Sequence, residues 1–216
     1  MTSEGTKARH SEVVDLFSIP MLVTPPFHPP VAELAYLQGL PTVPNRGGGR
    51  VSEDTEILRS PALARTAGFV DDQLEIFARE VAGLSADTRL VVTQSWLNLA
   101  GPGARHHTHR HPNSIVSGVL YLQGDPAPTR IFREAGASMF GAMEPRLEVI
   151  NRFNRGVVDV ENAASRLILF PSNLLHEVAE YPGTATRMTI AFNTFFVGRL
   201  GRNRKLTALD VHAGAA

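Results

Sequence analysis

The sequence predicts a mainly β domain with flanking helices, an antiparallel sandwich or barrel braced by N-terminal helices, and three observations carry that prediction. Four β-branched or aromatic runs follow residue 89: 90–99 (LVVTQSWLNL), 115–122 (IVSGVLYL), 166–170 (RLILF) and 186–196 (TRMTIAFNTFF). Gly, Pro and Asp clusters bound them. The helical periodicity lies ahead of these runs rather than between them, so the pattern is not the alternating one of a parallel βαβ sheet. At 216 residues the chain is large enough to bury about 70% of the surface its unfolded form exposes, so one cored domain needs no covalent staple.

The elements follow in order. Residues 1–12 are polar and read as a flexible N-terminus. Residues 13–24 (VVDLFSIPMLVT) form an apolar leading segment that Pro20 restricts to a sheet edge. Residues 25–50 contain PPFHPP and NRGGGR, too rich in Pro and Gly for a long element, with a short helix expected around 31–40. Asp71 is expected to cap a helix whose stripe is Leu74, Phe77, Val81 and Leu84. Residues 125–162 are long and irregular between two good strands, which makes them either a lid over a site or a surface insertion. Together 13–198 read as a single domain. The basic stretch 199–216 reads as a frayed tail.

Composition narrows the function. Lys plus Arg equals Asp plus Glu at 21 each, which argues against a nucleic-acid or anionic-membrane footprint. No stretch approaches the ~20 apolar residues of a membrane span, and the amino terminus has no apolar run, so a cytoplasmic protein is expected. With no cysteine, any metal must be held by nitrogen and oxygen.

Four of the eight histidines, His106, His107, His109 and His111, fall within six positions, and His176 follows the apolar run LILFPSNLL. Packing several imidazoles together has no hydrophobic advantage and is costly once they charge, unless a metal or an acid organises them. A histidine-rich surface loop is the bland alternative. If the cluster lies on a strand, alternation puts His107, His109 and His111 on one face and His106 and Arg110 on the other. In TRMTIAFN the same alternation sets Met188, Ile190 and Phe192 against Arg187, Thr189, Ala191 and Asn193. An inward Arg187 asks for a dicarboxylate, with Thr189 able to donate a further hydrogen bond; an outward one would pair with Glu177 or Glu180. Trp96 has the parity of Asn98 and could roof a pocket, but reads more simply as a core residue. Arg130, Arg133 and Arg146 are candidates for meeting an acidic substrate, although loop charges are ordinarily solvated.

The segments SWLNLAGPGARHHTHRHPNSIVSGVLYL, RLILFPSNLLHEV and TRMTIAFN resemble a family of 2-oxoglutarate and Fe(II) oxygenases. That family shows W-x-N, H-x-H-P before S-G-V-x-Y-L, L-F-P-S-x-L-x-H, then R-x-S/T and F-N. The resemblance spans about residues 14–196 and implies a double-stranded β-helix, a cupin-like jelly-roll barrel. Carried onto this sequence it makes His109 and His176 metal ligands, Arg187 the anchor of the distal 2-oxoglutarate carboxylate and Thr189 its helper, with Tyr121, Asn98 and Asn193 beside the co-substrate. The wider superfamily has Asp or Glu two residues after the first histidine. Here that place holds His111, either a third ligand or a donor behind a bound water. His107-x-His109 satisfies the same spacing, and the run HPNSIVSG favours His109 and His111.

The implied reaction is hydroxylation of an unactivated C–H bond in a small-molecule or peptidyl substrate, using O2 and releasing succinate and CO2. Two alternatives remain at this stage: a three-histidine cupin-like dioxygenase that does without 2-oxoglutarate, and a non-catalytic jelly-roll binding module. No nucleic-acid or membrane partner is expected, and monomer and homodimer both stay open. His10, His28 and His212 receive no role.

Overall fold

The computed structural model of the chain describes residues 12–125, 127–161 and 164–212; His10 and nearly all of the stretch expected to be flexible, 1–12, lie outside them. In chain order the elements are β1 (Leu22–Val23), α1 (Val31–Gln38), β2 (Thr42–Pro44), β3 (Arg50–Ser52), α2 (Ala64–Ile76) running into a π-helical turn (Phe77–Val81), β4 (Thr88–Ala100), β5 (His106–His109), β6 (Val116–Gln123), β7 (Thr129–Phe132), β8 (Val157–Val160), β9 (Leu167–Pro171), β10 (His176–Val178), β11 (Arg187–Leu200) and β12 (Leu209–Val211).

Two antiparallel sheets face one another. The major sheet has the order β1-β9-β6-β11-β4-β3-β2, with β12 paired to β11, and the minor sheet is β5-β10-β7-β8. From β4 to β11 the chain moves through the two sheets so that β4, β6, β9 and β11 fall in one and β5, β7, β8 and β10 in the other. This is the double-stranded β-helix. All four strands expected from the sequence are present, and the leading segment contributes only Leu22 and Val23, an edge pair on β9.

Alternation along the strands separates two interiors. Met188, Ile190 and Phe192 of β11, Leu120 and Leu122 of β6, Leu167 and Leu169 of β9 and Leu97 of β4 pack with Leu37, Val70, Leu74 and Phe77 of the helices into the main core. Tyr121, Ile168 and Phe170, with the opposite parity, pack with Leu174 between the sheets. The helices therefore close the outer face of the major sheet and leave the inner face for a site.

Gly118 shows how tightly the outer core is filled. A Cβ at this position would enter the Phe192 ring, which is itself fully buried. Gly118→Ala should destabilise the fold by about 1–3 kcal/mol through overpacking. An unchanged chemical-denaturation midpoint would count against this packing.

Three expectations are corrected. Helix α2 begins at Ala64, so Asp71 lies inside it rather than at its cap. The start is satisfied from a distance: the buried Glu33 carboxylate of α1 accepts from the Arg65 N–H at 2.8 Å, the Thr66 N–H at 3.1 Å and the Thr66 hydroxyl. Residues 125–162 are no simple insertion, because they supply β7 and β8 of the minor sheet, leaving an exposed loop between them. The stretch 199–216 is not all tail, since Gly198, Arg199 and Leu200 pair with Val211, Asp210 and Leu209.

Candidate metal and co-substrate site

The inner face opens into a cavity of about 110 Å³ between the sheets, and its chemistry comes from neighbouring strands in register. His176 pairs with His109, while Val178 pairs with His106, so three residues of β10 span four of β5. This bulge changes the expected parity. His106 comes round to line the cavity with His109 and His111, and His107 is left exposed outside it. The strand-parity assignment of His107 and His106 is corrected accordingly.

One nitrogen from each of His109, His111 and His176 lies within 4.8 Å of the others. The His109 Nδ1 is 2.7 Å from the His107 carbonyl and the His176 Nδ1 is 2.8 Å from the Leu174 carbonyl. A carbonyl accepts only, so each Nδ1 carries the proton and donates, which leaves each Nε2 lone pair free for a cation. His111 lies past the end of β5, where its N–H donates to the Ser172 carbonyl at 3.1 Å. Ser172 is fully buried, its hydroxyl within 2.7 Å of Ser114 and 2.8 Å of Ser117, so the loop bearing His111 rests on a satisfied polar layer.

Burial and mutual repulsion keep these rings neutral. Burial first, then neighbouring imidazoles, push His111 down to about 3 and His106 to about 4. His176 is lowered to about 4 by burial, against a rise from its bond to Leu174, and His109 is lowered mainly by burial. The set is therefore uncharged near neutrality, the state a metal needs. The unfolded chain takes up protons near 6.5, the folded His106, His111 and His176 only near 4 or below. Between those values the unfolded state binds more protons, so stability falls as pH falls through the window and is unaffected above it. Thermal melts of metal-free protein from neutral pH down to about 4 should show this loss, and His111→Asn should flatten the slope. An identical slope in the variant would refute the assignment of the loss to the cluster.

The second half of the site is on β11. Arg187 is only 7% exposed, its Nε has no hydrogen-bond partner, and no carboxylate among the described residues pairs with it. Glu177, one of its two expected surface partners, pairs with Arg130 instead. The Arg187 guanidinium lies 5.6 Å from the Tyr121 ring centroid, and burial lowers its pKa, opposed by the tyrosines Tyr121 and Tyr181. Thr189 sits between Asn98 of β4 and Tyr121 of β6 in the ladder, and all three line the cavity. Asn193 does not. Its Oδ1 accepts from Ser117 at 3.0 Å, which places it in the serine layer beneath the His111 loop, a correction to its expected place beside a co-substrate.

Trp96 is not a core residue: it is partly buried, lines the cavity and has its ring centroid 6.1 Å from that of His111. Its parity with Asn98 was the signal. Val119, Thr129 and Phe170 complete the inner wall, residues with no feature in the sequence to mark them beyond strand alternation.

This arrangement can be compared with known proteins. Residues 94–193, from within β4 to β11, match the model of the family described as "Putative 2OG-Fe(II) oxygenase". The barrel is similar to the 2OG-Fe(II) oxygenases. That family uses Fe(II) and 2-oxoglutarate. The residues present fit both: neutral imidazoles with free Nε2 atoms suit the metal, and a buried guanidinium with an unpartnered Nε suits a carboxylate.

The oxygenase fold is also seen in solved structures. An oxidoreductase of the 2OG-Fe(II) oxygenase family from Burkholderia pseudomallei is 14% identical over 81% of this chain and 84% of its own, with a TM-score of 0.56. HygX from Streptomyces hygroscopicus, with nickel, 2-oxoglutarate and hygromycin B bound, is 15% identical over 82% of each chain, with a TM-score of 0.56. A prolyl-4-hydroxylase from Pseudomonas putida is 20% identical over 82% of this chain and 93% of its own, with a TM-score of 0.51. Comparison with curated proteins finds no match. Among the described residues no helix is long and apolar enough to cross a membrane.

Proposed function

We propose that this chain is a 2-oxoglutarate and Fe(II) oxygenase that hydroxylates an unactivated C–H bond of a small-molecule or peptidyl substrate. In this reading His109, His111 and His176 hold the metal, and Arg187 with Thr189 anchors 2-oxoglutarate. Bound Fe(II) and 2-oxoglutarate supply the oxidising power, with O2 consumed and succinate and CO2 released. The chain's own contributions are positional. The carbonyls of His107 and Leu174 fix two imidazoles by their Nδ1–H groups. Trp96, Val119 and Phe170 wall the inner cavity and limit water there. Tyr121 and Asn98 border the same wall as Thr189, within reach of a bound dicarboxylate. The His111 loop rests on Ser172, which limits its freedom to swing away.

The observation that carries the proposal is the buried Arg187. A guanidinium taken out of water without a partner is costly, and a carboxylate supplied by a co-substrate removes the cost. A three-histidine dioxygenase that binds its substrate on the metal alone has no use for that charge. The test is stoichiometry. Purified protein given Fe(II), 2-oxoglutarate and O2 should release succinate and CO2 in equal amounts, with oxygen uptake to match. Metal-dependent oxygen uptake that needs no 2-oxoglutarate would overturn the reading.

A further inference from the structure

The cavity wall contains four arginines and no acidic residue: Arg187 inside, and Arg46, Arg50 and Arg105 at the mouth. None of the four is in an ion pair among the described residues. Arg59, Arg79, Arg110, Arg130 and Arg152, away from the mouth, do pair with carboxylates, and the chain as a whole is neutral. At the mouth the arginines share the cavity wall with no carboxylate.

The three mouth arginines are built into one rim. Arg46 and Arg50 flank the turn between β2 and β3, which the Asn45 N–H closes on the Gly49 carbonyl at 2.8 Å. The Arg105 N–H donates to the Gly47 carbonyl at 2.9 Å, tying that turn to the segment between β4 and β5. Gly47 has φ +97°, and a Cβ there would run into the Arg105 carbonyl, so the approach requires glycine. Arg50 is held in place by its Nε, 2.8 Å from the Thr42 hydroxyl, and by a further bond to the Thr42 carbonyl.

Size and charge then decide what the rim meets. A cavity of about 110 Å³ is small beside the ~300–1,000 Å³ of ordinary ligand pockets, so a metal and a five-carbon dicarboxylate leave little room within it. A substrate must be met at the mouth. The charges of a divalent metal and a doubly ionised co-substrate cancel, and neutral imidazoles in place of a carboxylate ligand add no negative charge. The filled site therefore keeps the excess of its arginines.

Resting on the oxygenase reading above, we propose that the substrate is a small acid whose carboxylate or phosphate is gripped by Arg46, Arg50 and Arg105. Guanidiniums offer paired donors to either oxyanion. This moves acid recognition away from the loop where the sequence suggested it. Arg130 is engaged by Asp159 and Glu177, Arg133 by the carbonyls of Arg155, Ala137 and Arg152, and exposed Arg146 does not line the cavity.

The test uses protein loaded with nickel in place of iron and saturated with 2-oxoglutarate, so that no turnover intervenes. Calorimetry then compares N-acetyl amino acids with their amides, and sugar phosphates with the free sugars. Acids should bind at least about tenfold more tightly than their neutral counterparts, the two arms reporting which oxyanion is preferred. In Arg46→Gln/Arg105→Gln that preference should vanish while nickel and 2-oxoglutarate still bind; Arg50 is spared because it also ties the hairpin. Neutral members binding as tightly, no acid binding, or a preference that survives in the variant each overturn the inference alone. Parent protein that binds neither nickel nor 2-oxoglutarate overturns the oxygenase reading and this one with it.

Discussion

His176→Ala should give a protein that folds but retains no iron, with metal affinity lowered by at least about 100-fold. Removing even an outer partner of a ligating histidine costs about 10–100-fold, and this change removes one of the three nitrogens the cavity brings together. His176 is 4% exposed and pinned through Nδ1, so its Nε2 is held in place before any metal arrives. The fold should survive, because the main core lies on the far side of the major sheet among Ile190, Phe192, Leu120 and Leu74. His106→Ala offers the comparison. That ring lines the cavity but lies outside the trio, so its loss should leave most metal binding in place. The measurements are metal content after anaerobic reconstitution and far-UV circular dichroism of each variant. A His176→Ala protein with a full iron complement and full turnover would sink the ligand assignment.

What the sequence made legible, and what it did not, follows from where each cause resides. The long strands were readable because their β-branched runs and their alternation are local. That alternation also separated Arg187 and Thr189 from Met188 and Ile190, as the structure does. Strands β7 and β8 have four residues each, too short a run to show a period, and they are held by pairing with each other and with β10. The bulge that brings His106 to the cavity cannot be seen in HHTH, because its cause is the three-residue stretch His176–Val178 that pairs across those four residues. Likewise the start of α2 depends on Glu33, more than thirty positions away, and not on its own flanking residues. The basic rim is hidden for the same reason. Arg46 and Arg50 meet Arg105 only after the β2–β3 turn docks on the segment before β5.

Arg187→Ala should raise the 2-oxoglutarate concentration needed for half-maximal turnover by about tenfold or more, since a lost charged partner for a buried carboxylate costs at least ~1.4 kcal/mol. The direction follows from the geometry of the pocket. Arg187 is buried beside Tyr121, whose hydroxyl is 3.0 Å from the Thr129 hydroxyl, and its guanidinium supplies the positive charge on that inner wall. Truncation removes the charge while leaving the trio of imidazoles unchanged, so metal content should stay at the parental level. That division, co-substrate binding lost and metal kept, is the reverse of what His176→Ala should give. Arg187→Lys refines it. A lysine restores the charge but not the paired donors, so recovery should be partial if the guanidinium grips a carboxylate in two places. Stability gives an independent reading, because the wild-type protein has a buried cation whose Nε lacks a partner. Adding 2-oxoglutarate to the metal-loaded protein should raise the melting temperature of the parent and leave Arg187→Ala nearly unmoved. An unchanged 2-oxoglutarate requirement in Arg187→Ala would instead favour a three-histidine dioxygenase that takes its substrate directly on the metal.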